Sequence, residues 1–216
     1  MRLFNYVKIY LGVTRNELMN LENDNKILVN GYKEKLTYKL KDSDIVTVNG
    51  KIIEKIPFSY YLYNKPRGIL SIIKDSNDSY INNIDIKEKV MVAGRLDKDS
   101  EGLMILTNDP VFVNKISGAN SSISKEYIVY LYNPITDEFI NKMKGEFIIR
   151  NRLLKPIEIN KLDDYSFKII LHEGIYHQIR KMVIASGNRV KKLVRIRIGS
   201  YNIDDISIGN IKKISI

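Results

Sequence analysis

Leu3, Tyr6, Val7, Ile9 and Tyr10 fall at roughly helical spacing across residues 2–12, and Gly12 ends that segment. Thr14 is placed to cap a second short helix from Arg15 to about Leu21, with Glu17 three residues on as its capping-box partner. The period then shortens. Ile27-Leu28-Val29 and Ile45-Val46-Thr47-Val48 are β-branched runs, each followed by an Asn-Gly pair, Asn30-Gly31 and Asn49-Gly50. Asn-Gly after such a run signals a tight turn. Two helices and a few short strands in residues 1–50 therefore predict a small αβ module.

Residues 51–58 are predicted to be a linker, with Pro57 as punctuation. The apolar run Tyr60-Tyr61-Leu62-Tyr63 then opens a larger domain over 59–216. The pattern predicts further strands at 69–73, 103–107, 126–132, 147–150 and 166–171, and helices near 110–117, 135–144 and 176–186. Strands and helices alternate without a steady βαβ rhythm, which predicts an α+β fold with a mixed, largely antiparallel sheet.

Composition narrows the function classes. Apolar residues make up 44% of the 216, enough for a packed core. No apolar run is long enough to span a membrane, and the N-terminal Met1-Arg2-Leu3-Phe4-Asn5-Tyr6 lacks the apolar core of a signal peptide. The expected location is the cytoplasm, with no membrane partner. The absence of cysteine excludes disulfides, thiolate catalysis, zinc ribbons and iron–sulfur clusters. The formal charge is +10, and residues 174–203 carry seven cations and no acid (Arg180, Lys181, Arg189, Lys191, Lys192, Arg195 and Arg197). Cations gathered in this way suit phosphate contacts better than general solubility does.

Four segments could carry chemistry. Gly94-Arg95-Leu96-Asp97-Lys98-Asp99-Ser100-Glu101-Gly102-Leu103 packs three carboxylates and two cations into a glycine-bounded loop before an apolar strand. It is either a solvated charged turn or a catalytic carboxylate beside a phosphate-binding arginine. Glu173-Gly174-Ile175-Tyr176-His177-Gln178-Ile179-Arg180 opens a helix. With His172 as the second histidine and no thiol, a zinc site there is disfavoured, and no metal site is expected. His177 is read as a structural hydrogen-bonding residue. Tyr127, in Lys125-Glu126-Tyr127, is either strand packing or a base-stacking platform. Asn64-Lys65-Pro66-Arg67-Gly68 is a sharp turn whose cations could touch phosphate or solvent.

In this order, these four segments and the run from Gly187 to Gly199 resemble the RsuA-like bacterial ribosomal RNA pseudouridine synthases. Residues 1–50 are similar to an S4 RNA-binding domain through Met1-Arg2-Leu3, Gly12-Val13-Thr14-Arg15 and Val29-Asn30-Gly31. They depart from the S4 pattern at Phe4 and Asn5, and through the acids Glu17, Glu22 and Asp24. The resemblance implies an isomerase that needs no cofactor, works as a monomer and acts on ribosomal RNA or a ribosomal assembly intermediate. It implies Asp97 as nucleophile, Tyr127 stacked on a flipped-out uracil, Arg180 paired with Asp97, Leu193 on the pocket wall, and Arg95 helping to extrude the nucleotide. Phosphate contacts are expected from Arg2, Arg15, Lys65, Arg67, Lys181, Arg189, Lys191, Lys192 and Arg195. Two other readings are weighed beside this one. One is a non-catalytic RNA-binding module; the other is a hydrolase using Asp97 and His177.

Overall fold

The computed structural model describes every residue except 74–79, 83, 119–120, 150 and 156. The chain divides into two units, Met1–Phe58 and Ser59–Ile216. In the first, α1 (Leu3–Leu11) buries Leu3, Tyr6 and Val7 on one stripe and ends at Gly12 in the left-handed region, φ 67°. Helix α2 (Arg15–Asn23) starts with the capping box read from the sequence. The Thr14 hydroxyl accepts from the Glu17 amide, and the Glu17 carboxylate accepts from the Thr14 amide at 2.7 Å.

Strands β1 (Ile27–Val29), β2 (Val46–Val48) and β3 (Lys51–Ile52) form an antiparallel sheet in that order. Both Asn-Gly pairs take positive φ at both residues, as a tight hairpin turn requires (Asn30 52°, Gly31 85°, Asn49 51°, Gly50 74°). The expected linker is therefore partly folded. Its first two residues are β3, Ile53 is buried, and the Tyr6 hydroxyl donates to the Ile53 carbonyl at 3.0 Å. Pro57 misled here because the Asn49-Gly50 turn had already committed the chain to one more strand.

The second unit is built on one large sheet. Its elements run β4 (Tyr60–Lys65), β5 (Met91–Ala93), β6 (Glu101–Thr107), α3 (Pro110–Ser117), β7 (Lys125–Leu131), α4 (Asp137–Met143), β8 (Ile148–Ile149) and β9 (Arg152–Leu153). They continue with β10 (Glu158–Lys161), β11 (Ser166–Leu171), α5 (Gln178–Ala185), β12 (Val190–Ile198), β13 (Tyr201–Asn202) and β14 (Ile211–Ile214). The sheet order is β10-β11-β7-β12-β6-β4-β14, with β13 added to β12 and β5 to β6; β8 and β9 form a separate hairpin. Of these pairings only β12 with β6 is parallel, so the sheet is mixed and mostly antiparallel.

Alternation splits the core between the two sheet faces. Leu62, Leu103 and Ile105 pack with Phe112 and Ile116 of α3 on one side. Tyr61, Tyr63, Met104, Leu106, Val129 and Phe167 pack with Phe139 of α4 and Met182 of α5 on the other.

Two expectations fail. Residues 69–73 form no strand apart from a single bridge between Ile73 and Ile81. Ser71 binds the backbone of Leu96 instead, so the apolar run lines the core as a loop. Conversely, 190–198, read only as a basic motif, is a nine-residue strand near the middle of the sheet. Its four cations hid the strand pattern, and one of them, Arg195, occupies a core position. Among the described residues, no helix is long and apolar enough to cross a membrane.

Candidate active site

Asp97 sits in the loop between β5 and β6, and that loop is clamped from several sides. Ser71 Oγ donates to the Leu96 carbonyl at 2.6 Å and accepts from the Leu96 amide at 2.9 Å. The Gly68 amide donates to the Lys98 carbonyl at 2.8 Å, and Ser100 closes a turn back onto the Asp97 carbonyl at 3.1 Å. Lys65, fully buried, donates to the carbonyls of Ser100 and Pro66, each at 2.8 Å. Arg195, also buried, donates from Nε to Leu103 O at 2.7 Å and from its two Nη atoms to Gly94 O at 2.6 Å and Arg95 O at 3.2 Å. Gly102 lets β6 approach β12 this closely; a Cβ there would lie 2.3 Å from the Arg195 carbonyl oxygen. With the backbone held at both ends, the half-buried Asp97 carboxylate faces a cavity of about 1190 Å³.

The floor of that cavity is one face of the sheet. In the ladder, Leu193 pairs with Val129, Arg195 with Tyr127, and Lys125 with both Ile198 and Leu171. Leu193, Arg195, Tyr127, Lys125 and Leu171 all line the cavity. The segment 173–180 forms another wall. There His177 takes the left-handed conformation (φ 57°) immediately before α5, and its ring stacks on Tyr176 at 3.9 Å. Its Nε2 lies 3.5 Å from Asp97 Oδ1.

Burial shapes the charges on the floor. It pushes the Lys65 ammonium down to about 8 against the opposing pull of Glu101, and it pushes Lys125 down to about 8 with help from the neighbouring Arg195. The carbonyls around Lys65 and Arg195 accept hydrogen bonds from them and so satisfy donors that burial removes from water. Among the described residues, no three or more His, Asp or Glu side chains gather as metal ligands.

The structure brings Asp97, Arg95, Tyr127, Arg180 and Leu193 to the one cavity. It rearranges several expected contacts. Arg180 does not pair with Asp97; its Nη2 donates to the Asp99 carbonyl at 3.2 Å and to Ser100 Oγ at 3.3 Å, and His177 is the cation-capable group beside Asp97. Lys65 and Arg195, expected to touch phosphate, are 0% and 1% exposed and hold loop carbonyls instead. Lys192 is ion-paired with Glu101 at 2.6 Å. Arg2, Arg15, Arg67, Arg189 and Lys191 are exposed, and Lys181 is partly so, lying 5.5 Å from the Tyr176 ring centre.

Sequence reasoning missed Ser71, whose role nothing local signals. It also left the buried Glu173 and Gln178 without a role, although both lie in a motif singled out for other reasons. Gln178 Nε2 donates to Glu173 Oε1 at 3.4 Å, and the Ile175 amide donates back to Gln178 Oε1 at 3.3 Å, fixing the turn that carries His177.

A carboxylate fixed above an aromatic and aliphatic floor, and ringed by cations, suits an enzyme that works on a nucleotide. Residues 59–185 match the family model described as RNA pseudouridylate synthase, and the chain belongs to that family. The dual-specificity RNA pseudouridine synthase RluF of Shigella flexneri is 35% identical over 212 residues, covering 96% of this chain and 73% of that protein. The ribosomal small subunit pseudouridine synthase A of Pasteurella multocida is 29% identical, covering 95% and 91%. A crystal structure of a pseudouridylate synthase superposes with a TM-score of 0.67 at 26% identity, covering 100% of this chain and 96% of that one.

Proposed function

We propose that this enzyme isomerises a specific uridine of ribosomal RNA to pseudouridine, with Asp97 as nucleophile. The observation that carries the reading is the placement of Asp97. Its loop is anchored by Ser71, Lys65 and Arg195, and its carboxylate opens onto the cavity floored by Tyr127 and Leu193. A relative named for the small ribosomal subunit supports ribosomal RNA as the substrate.

In the reaction, the N1–C1′ bond breaks, a C5–C1′ bond forms, the C5 hydrogen leaves as a proton, and N1 takes up a proton. Electrons balance without a redox partner. The ionised carboxylate of Asp97 supplies the electron pair that holds the sugar or base while the uracil turns. Tyr127 gives the base a face to stack on, worth about 1–3 kcal/mol, and Leu193 closes the apolar side. Flipping the uridine out costs a few kcal/mol of stacking, which Arg95, exposed beside Asp97, helps to offset through the backbone phosphate.

Arg180 acts through the loop: it fixes Asp99 and Ser100 rather than the nucleophile. His177 is the positioning residue for Asp97, its Nε2 lying 3.5 Å from one carboxylate oxygen, which leaves the other for the substrate. The Met1–Phe58 unit carries Arg2 and Arg15 as RNA contacts and serves as an S4-type docking domain. The enzyme acts as a monomer in the cytoplasm.

The test is release of tritium from uridine labelled at C5 in ribosomal RNA. Release marks isomerisation, free uracil marks hydrolysis, and binding with neither product marks a non-catalytic module. Asp97→Asn is nearly isosteric but cannot serve as an anionic nucleophile. It should lower turnover more than about a hundredfold, roughly 2.7 kcal/mol in barrier, while RNA affinity stays within about twofold of wild type. An Asn variant that keeps a tenth of wild-type turnover would remove Asp97 from the role.

A further inference from the structure

The cavity has a cationic pair that the reaction at Asp97 leaves unused. Arg152, in β9, and Lys155, three residues on, both line it. They are organised by one buried carboxylate. Glu173, whose side chain is 5% exposed, accepts the Lys155 amide on Oε1 at 2.8 Å. Arg152 Nη2 lies 3.1 Å from the other oxygen, close enough for an ion pair but outside hydrogen-bond angles. Gln178 steadies the first oxygen from α5. Glu173 therefore ties the β9 segment to the turn that carries His177. The Arg152 side chain remains 58% exposed, and a guanidinium has five N–H donors, of which this pairing engages few. Lys155 is exposed as well.

Position separates this pair from the nucleophile. Asp97 precedes β6 and Glu173 follows β11, and β12 and β7 lie between those strands in the sheet. Three strand spacings put the two edges about 14 Å apart. That separation suits the backbone of a nucleotide neighbouring the one held at Asp97.

We infer that Arg152 and Lys155, buttressed by Glu173, form a phosphate subsite for a nucleotide flanking the target uridine. The inference rests on the reading that the cavity receives RNA. Arg152 offers a forked edge that matches two phosphate oxygens, and Lys155 adds a mobile point charge. The subsite sets the direction in which the strand crosses the cavity, entering over Asp97 and leaving over β9. A buttressed arginine suits this role because its charge is already aimed, so little side-chain freedom is lost when the phosphate arrives.

The test uses the full chain and a short ribosomal RNA fragment containing uridine, with binding followed by fluorescence anisotropy across a potassium chloride series. Arg152→Gln and Lys155→Gln should each flatten the slope of log affinity against log salt by about 0.7–0.9 unit. The double variant should lose both increments. Lys142→Gln, on α4 and paired with Glu138, is the charge control and should leave the slope unchanged. If removing Arg152 unfolds the protein by stranding Glu173, Lys155→Gln alone decides the matter, because only the Lys155 backbone amide binds Glu173. An unchanged slope in Lys155→Gln, or a loss equal to that of Lys142→Gln, would overturn the subsite. The slope is read from binding alone, so failure of the wild type to release tritium would sink the isomerase reading and leave this comparison standing.

Discussion

On the floor of the cavity, Arg195 and Lys65 are buried, and their side chains donate to backbone carbonyls of the protein itself. At the rim, Arg95, Lys98, Arg152 and Lys155 are exposed around the same space. The residue types are identical, and all are cations in or near motifs that suit phosphate. A buried guanidinium that satisfies three carbonyls has few donors left for a ligand; it acts as a rivet between β12 and the loop that presents Asp97. A cation at the rim keeps its donors and its solvation, so it can exchange counterions for phosphate. The comparison teaches that a basic patch counted along the sequence overstates the surface available to RNA. It also shows that buried positive charge can fix the backbone of a loop that presents a carboxylate to a cavity.

The sharpest way to break this contrast is Arg195→Met. It strands the carbonyls of Leu103, Gly94 and Arg95 in a buried site, and should cost about 4 kcal/mol of stability. Chemical denaturation should show a clearly lowered midpoint. A midpoint unchanged from wild type would mean that Arg195 is free for other work.

His177 gives the next largest effect, this time on rate. His177→Ala should lower the saturating single-turnover rate about tenfold, near 1.4 kcal/mol in barrier, with RNA affinity little changed. His177→Gln, which restores a donor toward Asp97, should recover most of the rate. Equal losses in Ala and Gln, or a loss confined to affinity, would place His177 in RNA contact and return Asp97 to another partner.

The third test is in the pH dependence of stability. Lys65 titrates near 8 when folded and near its ordinary 10.5 when unfolded. Between those values the unfolded chain holds the extra proton, so this group makes stability rise with pH across that window. Lys65→Met should lack that increment when its denaturation is compared with wild type from pH 8 to pH 10. Parallel curves for the two proteins would show that the carbonyls of Pro66 and Ser100 fully compensate the burial of Lys65.

Local chemistry was enough to specify much of this protein. The capping box at Thr14 and Glu17, the two Asn-Gly turns and the helix from Pro110 depend on neighbours in sequence, so the sequence alone determined them. The five motifs were also legible as a set, and together they specify the family. What each cation does was not legible. Lys65 and Arg195 look like surface residues along the chain, and only the close approach of β12 to β6 at Gly102 buries them. Nor could spacing reveal that His177, rather than Arg180, would meet Asp97. They are separated by 80 residues in sequence, and the left-handed backbone at His177 sets the direction of the ring. Residue type and local pattern are properties of the chain. Whether a charge faces water, a carbonyl or a carboxylate is decided by packing between distant segments, and the tertiary structure supplied that.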